Sequence, residues 1–437
     1  MSSQGMKKGT IVTMAGTGIN LALGVLYTWS IFKGAIKKSI QDGGVGAFTW
    51  DPASLNDPYA VCCIVFACTM IIAGKIQDAY GPRITAFIGG VLVGLGFLWI
   101  SQTTAYLSWV LGFGVLAGTG IAFGYSAATP AALKWFHPSR TGRISGIVVA
   151  GFGLASVYIA PLAQYLLSTR GIQGSMMFFG IAFFVIVSVL SMFLKNPPEG
   201  YVPQGDFQIK RSPDTHEIRQ KFQDVNAHPM DLIKAPFFWL LWTLYFIGAG
   251  VGLMVIGSVA GMAKASMGKS AFVAVAILAI GNAAGRIGAG MLSDKIGRKR
   301  TLLAIFSLQT LLMFIAIPIT GSSATNPIVL VLLATLIGFN YGANLALFPS
   351  YAKDLWGMKH FGVNYGVLFT AWGVGGLVMG RASESFLAKY GNFSVSFITA
   401  GLMLLFGTVL IYFMRDKKEE MRKEMRQMAA KAVPANA

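Results

Sequence analysis

Twelve apolar runs, each about the 20 residues a helix needs to cross a bilayer, constrain this chain more than any other feature. They lie near residues 10 to 34, 58 to 77, 82 to 104, 107 to 135, 142 to 168 and 173 to 195. A second set lies near 236 to 262, 269 to 293, 301 to 321, 327 to 353, 361 to 388 and 392 to 414. In hydrocarbon each backbone N–H and C=O must be satisfied inside its own segment, so runs of this length fold as helices. Composition agrees: 54% of the 437 residues are apolar and 12% are charged, about half the charged share of a soluble domain. The expected fold class is an all-α membrane protein with twelve transmembrane helices in two six-helix bundles. Its expected parts are a first bundle over 1–195, a polar linker over 196–235, a second bundle over 236–414 and a tail over 415–437.

The net charge of +18 does not point to nucleic acid, because the basic residues fall in short stretches between apolar runs rather than on one surface. With the N-terminus placed inside, the inside segments hold 26 Lys and Arg and the outside loops 7, while Arg286 and Arg381 lie within spans. The positive-inside rule then puts both termini in the cytoplasm of a multi-pass plasma (inner) membrane protein. Anionic lipid beside the basic loops accounts for the charge without another partner. The first apolar run, Thr10 to Ile36, is too long for a cleavable signal peptide, so it should stay as the first membrane helix. Met230 to Trp239 reads as an amphipathic lead-in to the seventh span, and Arg415 to Lys431 as a solvated tail helix. Cys62, Cys63 and Cys68 are expected as buried thiols. The histidines, His137, His216, His228 and His360, lack metal-ligand spacing, so neither a metal site nor a cofactor is expected.

The two halves repeat. Gly74, Asp78 and Gly81 recur at an offset of 216 as Gly290, Asp294 and Gly297, with Arg83 and Arg298 just beyond, and Pro130 and Lys134 recur as Pro349 and Lys353. Such a repeat means a duplicated, pseudo-symmetric fold. The Gly-x3-Asp-x2-Gly stretch predicts a tight turn with glycine at positive φ. Its carboxylate and basic side chains can latch to a neighbouring helix end and its dipole.

In form and position this loop resembles the signature of the major facilitator superfamily, over residues 10 to 414. The tract from Ala22 to Phe32, with Tyr27 and Trp29, resembles the oxalate/formate antiporter family, a relative of the monocarboxylate transporters. So do Lys134-Trp135-Phe136, Leu347-Phe348-Pro349-Ser350 and Asn364-Tyr365-Gly366. The resemblance implies a secondary transporter, not an enzyme, in which two halves rock about a central site. The Asp78 and Asp294 loops would latch its outward-open form. A monomer is expected.

Arg286 carries the most chemistry. It lies eight residues before Asp294, ~12 Å along the helix, where a cation costs ~2.5 to 3.5 kcal/mol or more. The acids Asp57, Asp78, Asp294, Asp354 and Glu384 all lie near span ends. A small carboxylate anion, held by the arginine fork, would supply the missing counter-charge. The competing reading is an arginine that donates to helix carbonyls or snorkels to the surface. In the family it resembles, the arginine at this place binds the substrate carboxylate.

Asn282 lies four residues earlier on the same face, where the proton-coupled relatives hold an aspartate. An asparagine does not titrate, which favours exchange for a counter-anion, or facilitated movement, over carboxylate-mediated proton symport, though a protonated substrate acid could itself carry the proton. Alignment from Asn364-Tyr365-Gly366 places Trp372 where oxalate exchangers would hold a lysine. One central cation balances one carboxylate, so formate, lactate, pyruvate or glycolate is favoured over oxalate. Arg381, nine residues beyond Trp372, is expected to pair with Glu384. The remaining pocket candidates are Tyr27, Tyr125, Tyr341, Asn344 and Phe369, of which Tyr27, Tyr125, Tyr341 and Trp372 match positions that line the family's site. A proton-coupled lactate or pyruvate symporter and a transporter-like membrane sensor are the rival functions.

Overall fold

A computed structural model of the chain describes residues 2–201, 203, 227–267, 271–321 and 326–414. Eleven of its helices are long and apolar enough to cross a membrane. One of these, within Thr141–Ser191, is two helices meeting at Gly171, whose φ of 69° and ψ of −174° break the helical path. Twelve crossings result, as the apolar runs predict. Span 1 runs from helix Ser2–Leu23 through a 3₁₀ turn, Gly24–Thr28, into Trp29–Asp42. Span 2 is Asp57–Tyr80 and span 3 is Pro82–Ile100. Span 4 passes from Tyr106–Trp109 through a π-helical stretch, Val110–Ala117, to Gly118–Leu133. Spans 5 and 6 precede and follow Gly171, and span 7 is Pro236–Met267. Spans 8 to 12 are Ala271–Ile296, Arg298–Gly321, Pro327–Trp356, Phe361–Tyr390 and Ser394–Phe413.

The outer surface is apolar, as a lipid-facing shell requires: Phe184, Val185, Leu402, Leu405 and Phe406 are all exposed. Inside, polar side chains tie helix to helix. Asn20 donates from span 1 to the Val148 carbonyl of span 5 (2.9 Å), and Tyr158 donates back to the Leu21 carbonyl (3.0 Å).

The two Asp loops cross-link the halves. Gly81 and Gly297 have φ of 83° and 98°, the left-handed turn that glycine permits. Each aspartate then meets the first turn of a helix in the opposite half. Asp78 accepts from the backbone N–H groups of Gly362 and Val363 at the start of span 11, both at 3.1 Å. Asp294 accepts from those of Gly142 and Arg143 at the start of span 5, both at 2.8 Å. A carboxylate there satisfies donors that the first helical turn leaves open and faces the positive end of the dipole.

Close approach at these loops depends on glycine. A Cβ on Gly74 would strike the Gly362 backbone, and one on Gly142 would strike the Gly290 carbonyl. Gly362, Gly366, Gly373 and Gly380 share one face of span 11. The first three abut Gly74, Met70 and Ala67 of span 2, whereas a Cβ on Gly380 would meet nothing within 4 Å. The halves therefore touch closely at the Asp end along spans 2 and 11, while among the described residues nothing lies against Gly380 further along.

Two expectations need correction, those for Arg381 and Cys68. Arg83 donates to the Met192 carbonyl at the C-terminal end of span 6 at 2.8 Å, so it joins spans 3 and 6 of its own half. Its counterpart differs: Arg298 pairs with Asp294 (2.7 Å) and Asp354 (3.0 Å). Among the described residues no ion pair joins Arg381 and Glu384. Both are exposed, where ordering two long side chains offsets most of the Coulombic gain. Cys62 and Cys63 are buried but Cys68 is exposed, because five or six residues further on a helix turns it ~120–140° away.

The linker's last stretch packs against the Asp78 latch: Ala227 donates to the Trp356 carbonyl (3.1 Å), and the Asn364 amide donates to the Ala227 carbonyl (3.0 Å). The lead-in is two-sided, with Leu232 and Phe238 buried and Met230 and Trp239 exposed. Residues 202 and 204–226 of the linker and the tail helix lie outside the described residues.

Substituting Asp294→Ala strands the span 5 N–H groups and one face of Arg298. A hydrogen bond to a charged group contributes ~1.5–3 kcal/mol, so the closed Asp end should lose population by roughly 10- to 100-fold. Spin labels on the facing ends of spans 5 and 8 should report a longer distance than in the parent protein.

Candidate functional site

Arg286 is fully buried in span 8 at the seam between the halves. Three of its N–H groups have partners. Nε donates to Asn282 Oδ1 (2.9 Å), Nη1 to the Val149 carbonyl of span 5, and Nη2 to the Tyr27 hydroxyl of span 1 (3.5 Å). All three partners are neutral, and two belong to the opposite half. Among the described residues no carboxylate forms an ion pair with Arg286. The carbonyl contact is part of what the competing reading of this arginine expected. It supplies a dipole and leaves the guanidinium charge unbalanced.

Gly146 and Gly153 make this approach possible. A Cβ on Gly146 would strike the Arg286 carbonyl, and one on Gly153 would lie 3.1 Å from Arg286 Nε and 3.3 Å from Asn282 Oδ1. Span 5 thus presents bare backbone where span 8 presents its cation.

Four of the predicted residues form one hydrogen-bonded chain. Trp372 donates its indole N–H to the Tyr341 hydroxyl (2.9 Å), the Tyr341 and Tyr27 hydroxyls share a bond of 2.7 Å, and Arg286 donates to Tyr27. The chain ends in a donor at both sides, since neither an indole N–H nor a guanidinium can accept. Only one hydroxyl hydrogen can lie between the two tyrosines. The other has no place within the chain, so one tyrosine O–H is left to donate elsewhere.

Rings enclose this chain. Phe369 stacks on Trp372 (centroids 5.1 Å apart, planes 19°). Phe66 meets Tyr125, Phe369 and Trp372 at 5.5, 5.0 and 5.4 Å. Phe152 meets Tyr27 and Tyr125 at 5.2 and 5.5 Å. Such walls exclude water and lower the local dielectric, which strengthens each polar contact with the arginine.

Of the eight predicted pocket residues, Arg286, Asn282, Tyr27, Tyr341 and Trp372 are linked by hydrogen bonds, and Tyr125 and Phe369 join through ring contacts. Asn344 stands apart: its amide donates one turn back to the Asn340 carbonyl (3.0 Å), and its side chain packs against Gly248 of span 7. Sequence reasoning missed Phe66, Phe152, Gly153 and the Val149 carbonyl. Phe152 had a signal, a bulky ring between Gly151 and Gly153. The carbonyl had none, because every residue has one.

The chain matches known proteins over most of its length. A family model described as Major Facilitator Superfamily matches residues 9–380 and, in a second match, 273–435. The chain is similar to the uncharacterized MFS-type transporter YhjX of Escherichia coli (strain K12), 27% identical over 376 residues and 84% of each chain. It is similar to the oxalate:formate antiporter of Oxalobacter formigenes, 25% identical over 384 residues, 86% of this chain and 84% of that one. It also resembles monocarboxylate transporter 13 of Rattus norvegicus, 27% identical over 340 residues, 77% of this chain and 74% of that one. Among the described residues no three His, Cys, Asp or Glu side chains gather as metal ligands. With twelve crossings in two similar halves and a family match from residue 9 to residue 380, the chain belongs to the major facilitator superfamily, a superfamily of carriers and not of enzymes.

Proposed function

We propose that the chain carries small carboxylate anions across the membrane by alternating access, as an exchanger, with monocarboxylates such as formate, lactate, pyruvate and glycolate preferred to oxalate. The observation that carries this reading is the fully buried Arg286, whose partners among the described residues are all neutral. A bound carboxylate supplies the missing charge, accepting from the outer N–H groups of the guanidinium and from the free tyrosine O–H. The relatives named as an oxalate:formate antiporter and a monocarboxylate transporter support the substrate class.

Three features favour exchange of a monocarboxylate. Asn282, bonded to Arg286 Nε, cannot bind or release a proton. Trp372 closes the site with a neutral donor where a second cation would suit a dicarboxylate. Among the described residues Arg286 is the one cation bonded to the Tyr27 and Tyr341 pair, and one cation balances one carboxylate. In this reading the halves over 1–195 and 236–414 are the moving bodies, joined by 196–235, and the Asp end faces the cytoplasm.

Arg286→Ala should abolish anion uptake into proteoliposomes while leaving expression intact, and Arg286→Lys should recover little, because an ammonium lacks the planar fork. Unchanged uptake in Arg286→Ala would overturn the proposal. Asn282→Asp places a carboxylate beside the guanidinium, which holds it ionised at neutral pH. Formate uptake should then fall at pH 7 and recover as acid protonates the new group, whereas the parent lacks this recovery. Trp372→Lys supplies a second cation, so the ratio of oxalate to formate uptake should rise about 10-fold or more, measured by competition. A ratio no higher than the parent's would remove Trp372 as the reason for choosing one carboxylate over two.

A further inference from the structure

Resting on that function, we propose that the Val149 carbonyl is a surrogate ligand for Arg286 in the empty carrier. It ties the halves together until an anion takes its place, which makes exchange obligatory. Gly153 is the positioning residue that makes the tie possible.

The argument starts from where the contact lies. Arg286 belongs to span 8 and Val149 to span 5, in opposite halves. The two spans are also joined at the Asp end through Asp294, Gly142 and Arg143. For the halves to part at that end, spans 5 and 8 must separate, and the bond from Arg286 Nη1 to the Val149 carbonyl must break. The 2.7 Å bond between Tyr27 and Tyr341 crosses the same seam and breaks with it. In the empty carrier this strands a buried guanidinium between aromatic walls before water arrives from the opening side. Losing a hydrogen bond from a charged group slows that step by roughly 10- to 100-fold. With an anion bound the guanidinium keeps an acceptor throughout, and the step loses that barrier. The carbonyl is available because Gly153, one turn along span 5, has no side chain: a Cβ there would press on Arg286 Nε and Cζ at 3.1 and 3.4 Å and on Asn282 Oδ1. Methyl insertion at that point displaces the fork from the carbonyl.

The test uses full-length protein in proteoliposomes loaded with labelled formate, comparing efflux into formate-containing buffer with efflux into anion-free buffer. In the parent, exchange should exceed net efflux by roughly 10- to 100-fold; equal rates overturn the proposal. In Gly153→Ala the ratio should fall toward one through faster net efflux, while formate and lactate still raise the thermal stability of the purified protein. An unchanged ratio overturns the proposal. So does loss of anion stabilisation in this variant, since Gly153 would then serve the anion and not the carbonyl. Ser145→Ala removes another contact across the seam, to the Ala346 carbonyl at 3.5 Å, and takes away none of the partners of the Arg286 guanidinium. Its ratio should match the parent's, and a fall as large as that of Gly153→Ala overturns the assignment to Arg286. If neither formate nor lactate stabilises the parent, the anion-carrier reading itself fails and the tie falls with it. If they stabilise it and the ratio is one, the tie alone fails.

Discussion

A guanidinium held in the middle of a membrane protein by partners that, among the described residues, are all neutral is the constraint on which the rest of this structure turns. Arg286 is wholly buried, and its acceptors are an amide, a backbone carbonyl and a phenol. In a low-dielectric interior, dipoles offset part of the cost of burying an ion, while the monopole persists. On the function proposed above, the site serves something that arrives carrying the opposite charge and leaves again. A resident aspartate or glutamate would have filled that role permanently. The aromatic shell acts in the same direction, since Phe66, Phe152, Phe369 and Trp372 keep water from screening the charge.

Around this unequal centre stands a nearly equal frame. Asp78 caps the start of span 11, and Asp294 caps the start of span 5. Each half thus holds a helix end of the other, in a reciprocal arrangement that a duplicated chain reaches by repeating one loop. The reinforcement is not reciprocal. Arg298 braces Asp294 and Asp354, whereas Arg83 turns to the Met192 carbonyl within its own half. The stronger bracing lies on the seam of spans 5 and 8, the seam that also carries Arg286.

Much of this was legible in the residue order. Crossings were readable because a hydrophobic run of bilayer length has few other stable fates in one chain. The Gly-Asp-Gly turns were readable because positive φ at Gly81 and Gly297 is a local property of glycine. Arg286 was readable because charge is rare in a span and has to be explained. The misreadings were of another kind. Arg381 and Cys68 each have a correct helical address, but their surroundings depend on what lies across the helix, and sequence spacing within one segment does not contain that.

The order of residues by itself determined the twelve helices, their pairing into two similar halves, the two turns and the presence of a lone central cation. These follow from burial, backbone satisfaction and local dihedral preference, which act along the chain. Tertiary structure alone decided that Asp78 and Asp294 reach across to the opposite half and that Tyr27 and Tyr341 meet hydroxyl to hydroxyl. It also decided that Phe66 and Phe152 complete the aromatic wall, that Asn344 stands aside, and that the Val149 carbonyl is one of the acceptors for Arg286. Each of these depends on which faces of distant helices come within hydrogen-bonding or van der Waals distance. Contacts between residues 137 or 314 positions apart are settled by packing of whole helices, at glycines whose missing side chains let the backbones touch.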